Sequence, residues 1–366
     1  MSSTFGNNIK VSIFGQSHSE AIGVVIDGLP ANHKIDLAEI GAFMARRAPG
    51  QNSVSTPRKE PDIPRIVSGL VDGVTCGAPL CAIIENTNVR SGDYEKLKDV
   101  PRPAHADFAA RIKHGGANDV RGGGHFSARL TAPLCFAGAV CLQLLKEKNI
   151  YIGAHICSIA NVKDRLFDSV NLSAADLTRL ASRERPLLTP ELWQEMEKAV
   201  TDARVDQDSV GGIIECGIVG LPVGIGEPMF GGMENRISQA IFAVPAVKGI
   251  EFGNGFECAA LRGSQNNDAF YYDGDRIRTK TNNHGGILGG LSSGMPVIFR
   301  AAFKPTPSIA QSQQSVSFSQ KQDTELVIQG RHDPCVVLRA VPCVEAAAAL
   351  AVYDMVLDSN NGNLFA

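Results

Sequence analysis

The sequence lacks both a long apolar run and a surplus of positive charge, and these absences exclude several classes of function. No stretch of about 18 consecutive apolar residues occurs in the 366 residues, and Met1 to Thr4 begin neither a basic nor an apolar leader. Because 35 Lys and Arg face 38 Asp and Glu, the net charge is -3, which gives no overall attraction to nucleic acid or to an anionic membrane. We therefore expect a cytoplasmic protein with neither nucleic acid nor membrane as a partner.

Paired cysteine motifs and nucleotide-binding fingerprints are also absent. The nine cysteines are scattered singly, mostly among Val, Leu, Ala and Ile, and none forms a C-x-x-C pair. Such cysteines are typically small buried apolar side chains in a reducing compartment, so we expect neither a disulfide framework nor a metal site. The chain also carries no G-x-G-x-x-G or P-loop pattern that would predict a nicotinamide or nucleotide site.

The composition, 44% hydrophobic and 20% charged, is that of a globular protein. No Pro/Gly/Ser-rich linker divides the chain, so we predict one domain over residues 1–366. Apolar residues line one face of a helix that begins after Asp36 and ends before Pro49, and a largely apolar, central helix is predicted over 127–148. Short β-rich runs at 10–26 and 64–86 predict antiparallel strands. Further helices are predicted at 173–183, 190–204, 232–244 and 343–358, and further strands at 210–219, 248–253, 295–302 and 324–329.

A short internal similarity accompanies these elements. Residues 76–80 and 293–297 both place glycine, any residue and proline before an apolar strand. The match is compatible with a duplicated unit, but a similarity this short also arises by chance.

Four segments concentrate histidine, arginine and glycine beyond what a packed core requires. Arginine next to histidine and carboxylate suits anion binding and proton transfer, and glycines before a helix allow close backbone approach to a phosphate. Each segment alone also has a structural interpretation: a histidine at a strand end, an exposed charged loop or a flexible turn. Together they predict an enzyme with several arginines and two or three histidines around a phosphorylated anion; the segments are 14–19, 102–107, 119–129 and 330–339.

These segments, together and in this order, resemble the motifs of the chorismate synthase family. The resemblance extends over residues 5–350. Its motifs are Gly15-Gln16-Ser17-His18, Arg102-Pro103-Ala104-His105-Ala106-Asp107, Ser127-Ala128-Arg129, Leu261-Arg262-Gly263-Ser264-Gln265-Asn266, Gly285-Gly286-Ile287-Leu288-Gly289-Gly290, Lys304-Pro305-Thr306 and Gly330-Arg331-His332-Asp333-Pro334-Cys335.

The resemblance implies an α+β fold, a β-α-β sandwich in which antiparallel sheets flank a helical layer, assembled as a homotetramer. It implies loss of phosphate from 5-enolpyruvylshikimate 3-phosphate to give chorismate, with reduced flavin mononucleotide (FMN) as a transient electron donor and no net redox change.

The resemblance also implies roles for individual residues. His18 corresponds to the histidine that protonates the departing phosphate, and His105 to the one that stabilises the reduced flavin. Asp333 corresponds to the aspartate that assists removal of the ring proton, with Ser17 and Ser127 as a relay. Substrate-binding candidates are Arg46, Arg47, Arg58, Arg102, Arg129 and Arg339, although Arg46 and Arg47 also suit simple charge compensation at a helix end. Flavin contacts correspond to His125, Phe126, Ser127, Pro245, Ala246, Gly289, Lys304, Pro305, Thr306, Pro307, Ser308 and Arg331.

Several positions depart from the family pattern. Ala48 and Ser53 stand where arginines are common, and Gln16, Phe126 and Pro307 also differ from the usual residues. They bear on phosphate binding and rate, and they leave open a binding protein that has lost catalysis or another flavin-dependent enzyme. Because the motifs follow one another without large insertions, we expect a monofunctional enzyme that depends on an external flavin reductase.

Overall fold

The computed structural model describes residues 3–50, 60, 62–87, 96–328 and 333–360. The helices are α1 Leu37–Arg47, α2 Asp107–Lys113, α3 Thr131–Lys146, α4 Ala174–Ala181, α5 Trp193–Val205, α6 Met233–Ile241, α7 Gly263–Asn266 and α8 Val337–Asn360. The strands of the first part are β1 Thr4–Phe5, β2 Lys10–Gly15, β3 Ala21–Asp27, β4 Arg65–Ser68, β5 Leu70–Val71, β6 Val74–Thr75 and β7 Leu80–Glu85. Those of the second are β8 Tyr151–Ile159, β9 Val162–Lys163, β10 Gly212–Val219, β11 Val247–Phe252, β12 Phe270–Asp273, β13 Arg276–Thr279, β14 Ile287–Leu288, β15 Leu291–Ser292, β16 Val297–Phe303, β17 Gln313–Ser317 and β18 Gln322–Leu326.

Two antiparallel five-stranded sheets form the outer layers. Their strand orders are β1-β2-β3-β7-β4 and β11-β16-β10-β8-β9. Between them, α3 packs along α8, and α1 and α6 pack against this central pair. At Gly138 of α3 the two backbones come so close that a Cβ there would lie 2.3 Å from Cα of Ala346. The predicted α+β sandwich is therefore confirmed.

The two sheets are built by topologically equivalent halves of the chain. Strands β2, β3, β4 and β7 pair in the order β2-β3-β7-β4, and β8, β10, β11 and β16 repeat that order as β8-β10-β16-β11. Helix α1 or α6 follows the second strand of each set, and α3 or α8 follows the fourth. The equivalence extends to individual turns. Gly28 (φ 83°) lies against the carbonyl of Asn8, and in the second half Gly220 (φ 87°) lies in the same way against the carbonyl of Asn149. The two segments of the short internal similarity, 76–80 and 293–297, therefore occupy corresponding positions, at the starts of β7 and β16.

The central helices are the most apolar part of the fold. Segments Ala128–Lys146 and Val337–Ser359 are long and apolar enough to cross a membrane, yet 83% and 94% of their most apolar windows are buried inside the protein. Their apolar surface is thus covered by the two sheets and by each other, as in the core helices of a soluble protein. Neither segment is an uninterrupted apolar run, because polar residues such as Gln143 and Glu345 lie within them, so the expectation that no such run occurs is compatible with their high mean hydropathy.

Most predicted elements are present, with shifted ends. The side chain of Asp36 accepts hydrogen bonds from the backbone N–H groups of Ala38 and Glu39, as expected of the start of α1. The helix predicted from Ser127 begins at Thr131, after a 3-10 turn over Ala128–Leu130. The last helix begins six residues before the predicted start, and Pro342 lies inside it.

Candidate active site

A cavity of about 550 Å³ lies where equivalent segments of the two halves meet. Its walls come from the ends of α1 and α6 and from the segments that lead from β7 and β16 to the starts of α3 and α8. Among the described residues, four arginines line it: Arg47, Arg102, Arg129 and Arg339. The fold therefore collects positive charge from distant parts of the chain at the junction of its halves.

Three successive glycines form the wall against which two histidines rest. Gly122, Gly123 and Gly124 all have positive φ, at 60°, 94° and 56°. A Cβ on Gly122 would lie 2.3 Å from Nδ1 of His18, and one on Gly123 would lie 3.1 Å from Nε2 of His105. The neighbours of these glycines are the two imidazole rings, so the glycines place both candidate proton donors at one wall, and the close approach of a phosphate to this loop stays a prediction.

The His18 side chain is buried, 7% exposed, and is linked to the glycine loop through its neighbour. Oγ of Ser17 lies 3.2 Å from Nδ1 of His18 and donates to the carbonyl of Arg121 at 3.0 Å. The backbone N–H of Ser17 donates to the carbonyl of Gly124. These bonds fix the strand end that carries Ser17 and His18 against the loop.

The His105 ring is oriented by a buried ion pair. Its Nδ1 lies 2.6 Å from Oδ1 of Asp107, and the same carboxylate accepts from Nε of Arg102 at 2.7 Å and from Nη2 at 2.8 Å. Burial would raise the pKa of Asp107, but the hydrogen bonds from Arg102 and His105 outweigh it and hold that pKa well below its usual range. Because the ionised carboxylate of Asp107 accepts a hydrogen bond from Nδ1–H of His105, Nε2 is left to exchange a proton on the other side of the ring, facing Gly123.

Carboxylates hold two of the arginines in the cavity wall. Asp62 accepts from both Arg47 and Arg129, and Glu60 lies 3.2 Å from Nε of Arg129. Burial would lower the pKa of Arg47, but the charge of Asp62, together with the smaller effects of Cys343, Cys135 and Glu60, outweighs it and raises that pKa. Nε of Arg47 also donates to the hydroxyl of Thr131 at 3.0 Å, at the start of α3. These guanidinium groups are therefore charged and fixed before any ligand binds.

Another ion pair lies at the start of α8. Arg339 pairs with Asp333, and Nε of Arg339 donates to the carbonyl of Arg47 at 3.0 Å. Burial lowers the pKa of Arg339, and Asp333 opposes that effect. The pair ties α8 to the end of α1. It also brings Asp333 to the cavity wall with its carboxylate oriented.

The opposite wall follows β16 and offers polar groups suited to an anionic cofactor. Nζ of Lys304 donates to the carbonyl of Ala104 at 2.9 Å, and burial, together with Lys248, lowers the pKa of Lys304. Oγ of Ser308 lies 3.5 Å from Nη1 of Arg102. The hydroxyl of Thr306 is buried without a hydrogen-bond partner among the described residues. The Lys304 ammonium and the Thr306 and Ser308 hydroxyls could donate hydrogen bonds to a phosphate or to the polar edge of a flavin. These residues therefore fit such a group.

The flavin-contact candidates at 125–127 complete this part of the cavity. His125 lies with Nδ1 2.7 Å from the carbonyl of Gly15 and Nε2 2.6 Å from Oγ of Ser3. Phe126 is 38% exposed, and Oγ of Ser127 accepts from the N–H of Arg129 at the 3-10 turn. His125 thus links the end of β2 to the glycine loop, while Phe126 offers an apolar face.

The cavity brings together most residues singled out from the sequence. Its lining includes Arg47, Arg102, His105, His125, Phe126, Ser127, Arg129, Pro245, Ala246, Lys304, Thr306, Pro307, Ser308, Asp333 and Arg339. Ser17, His18 and Pro305 lie directly behind the lining, against Gly122 and Gly211. Arg58 and Arg331 lie outside the described residues.

Two candidates lie apart from the cavity within the described chain. Both terminal nitrogens of Arg46 bind the carboxylate of Glu345, at 2.6 and 3.0 Å, and Glu345 also accepts from the N–H of Ala154. Arg46 therefore ties α1 to α8 and β8, which favours its structural interpretation. Gly289 lies in the turn between β14 and β15, where a Cβ would meet no atom within 4 Å.

The sequence did not predict the carboxylates that hold Arg47 and Arg129. Glu60 and Asp62 are 4% and 3% exposed, and their partners are far away in the chain. The available signal was a pair of carboxylates in an arginine-rich segment that ends in proline. Thr131 and Cys343 also line the cavity without having been predicted.

The arrangement suits a small molecule with several anionic groups. Fixed guanidinium groups would hold carboxylate or phosphate oxygens, and the imidazoles at the glycine wall would move protons beside them. The described residues contain no group of three or more His, Cys, Asp or Glu side chains able to hold a metal ion.

Comparisons with known proteins agree with this geometry. The family model described as chorismate synthase matches residues 9–357. Chorismate synthase of Lancefieldella parvula is 48% identical over 365 residues, covering 97% of this chain and 96% of the relative. That of Dehalococcoides mccartyi is 42% identical, covering 98% and 97%. That of Korarchaeum cryptofilum is 40% identical, covering 98% of both chains.

A solved structure shares the fold. A crystal structure of chorismate synthase superposes with a TM-score of 0.77 at 26% sequence identity, covering 97% of this chain and 93% of the other.

Proposed function

The chain belongs to the chorismate synthase family of enzymes, and on that premise we propose that it eliminates phosphate from 5-enolpyruvylshikimate 3-phosphate to give chorismate. The reaction is an anti-1,4-elimination by a carbon–oxygen lyase, and it is the final step of the shikimate pathway. One observation carries the proposal: His18 and His105 rest on successive glycines at the wall of an arginine-lined cavity. Loss of phosphate needs a proton donor beside fixed positive charge, and this wall supplies both.

The arginines bind and orient the substrate in this proposal. The substrate carries two carboxylates and a phosphate, and Arg47, Arg102, Arg129 and Arg339 line the cavity that would receive them. Their buried ion pairs hold the guanidinium groups in place, so little ordering remains to be done on binding.

Protons move at the histidines and at Asp333. We assign His18, held by Ser17, to protonation of the departing phosphate oxygen. His105, whose Nδ1 is bound to Asp107, holds a proton at Nε2 beside the negative charge of the reduced cofactor. Asp333 assists removal of the ring proton, with Ser17 and Ser127 as the relay.

The cofactor in this proposal is reduced FMN, which supplies an electron transiently to the substrate and recovers it. The wall formed by Lys304, Thr306 and Ser308 would hold it, since the Thr306 hydroxyl has no partner in the part of the chain that the structure describes. The remaining contacts are proposed for His125, Phe126, Ser127, Pro245, Ala246, Pro305, Pro307 and Arg331, whereas Gly289, which lies apart from the cavity, is not assigned a contact there.

We also propose one domain and a cytoplasmic homotetramer. A continuous cluster of buried apolar residues from Ile9 to Val356 supports the single domain. Exposed apolar side chains support assembly, because Phe230 and Phe256 are each 86% exposed and Tyr272 is 76% exposed.

The test is formation of chorismate under anaerobic conditions with photoreduced FMN, followed by its absorbance. Turnover with reduced FMN and none with oxidised FMN is expected. Equal activity with oxidised FMN or with none would contradict the mechanism. Tight flavin binding without turnover would instead identify a binding protein that has lost catalysis.

A second experiment tests the external flavin reductase. Purified protein is given NADPH and oxidised FMN in air, with and without an added reductase. We expect chorismate only when the reductase is present, because the chain carries no nicotinamide fingerprint and no large insertion. Sustained turnover without it would show intrinsic flavin reduction.

A further inference from the structure

Two cysteines meet at the floor of the cavity, one on each central helix. The sulfurs of Cys135 in α3 and Cys343 in α8 lie 3.8 Å apart, with the Cys135 thiol donating to Cys343. The residues are 0% and 3% exposed, and Cys343 lines the cavity. A small oxidant in the cavity would therefore meet Cys343 first, with a second thiol directly behind it.

The backbone brings this pair together as part of the closest helix contact. Cys135 and Cys343 each lie three residues before the residues of that contact, Gly138 and Ala346, where a Cβ on the glycine would lie 2.3 Å from the facing Cα. Because the two helix backbones touch one turn further along, they are close enough at the cysteines for a disulfide to join the two side chains. The sulfurs need to approach from 3.8 Å to about 2.05 Å, within reach of side-chain rotation.

Arginines lie near both sulfurs, but the pKa values of the two thiols are shifted in opposite directions. Hydrogen bonding from Cys135 outweighs burial and, with Arg47, Thr131 and Arg339 adding to it, lowers the pKa of Cys343 to about 7. Burial raises the pKa of Cys135 well above its usual value. The pair thus consists of a nucleophilic sulfur facing the cavity and a protonated thiol behind it.

We propose that Cys135 and Cys343 are an oxidisable dithiol, a modification site that hydrogen peroxide converts to a disulfide between α3 and α8. The Cys343 thiolate attacks a peroxide oxygen and breaks the O–O bond, giving a sulfenic acid and, after protonation, water. Cys135 loses its proton and attacks that sulfur, and the hydroxyl leaves as a second water. Two thiols and one peroxide yield one disulfide and two waters, so no other reactant is needed.

The bond would join the helix starts that carry the anion-binding groups. Arg339 lies one turn before Cys343, and the Cys343 thiol donates to the Arg339 carbonyl at 3.5 Å when protonated. Thr131, which binds Arg47, lies one turn before Cys135. Oxidation removes the sulfur charge facing Arg47 and fixes these turns to each other.

The experiment treats the full chain with hydrogen peroxide and maps disulfides by mass spectrometry of unreduced peptides. We expect a cross-linked peptide pair containing Cys135 and Cys343, lighter by two hydrogen atoms and restored to thiols by dithiothreitol. A bridge between other cysteines, or thiols at both positions after the exposed Cys76 and Cys258 have oxidised, would overturn the proposal.

Two single variants test the order of attack. In C135A a sulfenic acid should form at Cys343, and a dimedone probe should label it roughly ten-fold faster than Cys135 in C343A. C141A is the matched control, because Cys141 is a fully buried cysteine of α3 without a second sulfur in the described contacts, and it should still form the bridge. Equal labelling of the two single variants would contradict a cavity-facing nucleophile. These readouts need neither flavin nor turnover, so their failure is separable from failure of the proposed function.

Discussion

Nδ1 of His105 lies 2.6 Å from Oδ1 of Asp107, the carboxylate that also accepts hydrogen bonds from Nε and Nη2 of Arg102. One buried acid therefore orients a candidate proton donor and a candidate anion-binding group at once. Changes at Asp107 should affect both functions, whereas changes at His105 should affect only one.

The variant D107N tests this coupling. The neutral amide should misorient His105 and loosen Arg102, so turnover should fall on the order of 10²–10⁴-fold and substrate affinity should fall with it. The measurements are kcat with reduced FMN and a substrate titration. D273N is the control, since Asp273 pairs with Arg278 in an exposed hairpin and should change neither quantity. Loss of kcat with unchanged affinity would leave His105 as the only group that Asp107 positions.

The variants H18A and H105A test the two proton donors. Each should lower turnover on the order of 10²–10⁴-fold, the usual range for removal of a positioned general acid, while binding suffers less. H33A is the matched control, because His33 forms a part-exposed pair with Glu147 at 2.7 Å, away from the cavity. Near-full activity in both variants would indicate that these histidines have a structural role.

The secondary structure was largely predictable because local patterns decide it. The capped start at Asp36, the stop before Pro49 and the apolar run of α3 are all visible in sequence. Strand β8 was not predicted, because Gly153, Ala154 and His155 interrupt any alternation in a strand that is buried on both faces. The start of α8 was placed too late, since Pro342 suggests a helix start and here lies inside the helix.

Which residues form the site could be predicted from the sequence better than the contacts between them. Motif resemblance selected Arg47, Arg129 and His105, but the pairing of both arginines with Asp62 depends on the approach of three distant segments. The glycine loop was recognised as a site of close approach. That its neighbours are two histidine rings follows only from how β2 and residues 102–107 fold against it.

The variant G122A tests this loop. A Cβ would lie 2.3 Å from Nδ1 of His18 and 2.6 Å from Oγ of Ser17, and φ is already positive, so both side chains must move. We expect a stability loss of roughly 1–3 kcal/mol and a fall in turnover comparable to that of H18A. Urea unfolding and kcat are the measurements. G41A is the control, because Gly41 lies in α1 with no atom within 4 Å of its Cβ position. Unchanged turnover in G122A would show that His18 need not rest on this loop.

The variant R129A tests anion binding in the wall that Asp62 holds. Removing the guanidinium leaves both Asp62 and a substrate anion without a partner, so substrate affinity should fall by roughly 2–5 kcal/mol. Calorimetric titration of the substrate measures this loss. R179A is the control, because Arg179 forms an exposed pair with Asp176. If affinity were unchanged, Arg129 would serve only to neutralise Asp62 and Glu60.

The depressed pKa of Asp107 predicts how stability depends on pH. A carboxyl that is harder to protonate in the folded than in the unfolded chain adds stability above its unfolded pKa of about 3.9, and loses it as the pH falls toward the folded value. The free energy of unfolding should therefore decrease between about pH 5 and pH 3, as the unfolded chain takes up a proton that folded Asp107 refuses. In D107N the native state lacks this carboxylate, so the variant should be less stable at pH 7 and its stability should fall less steeply with acid. Urea unfolding of both proteins at several pH values measures the two slopes. D273N again serves as the control and should keep the slope of the unmodified protein. Parallel slopes for the unmodified protein and D107N would mean that the hydrogen bonds from Arg102 and His105 do not hold Asp107 ionised.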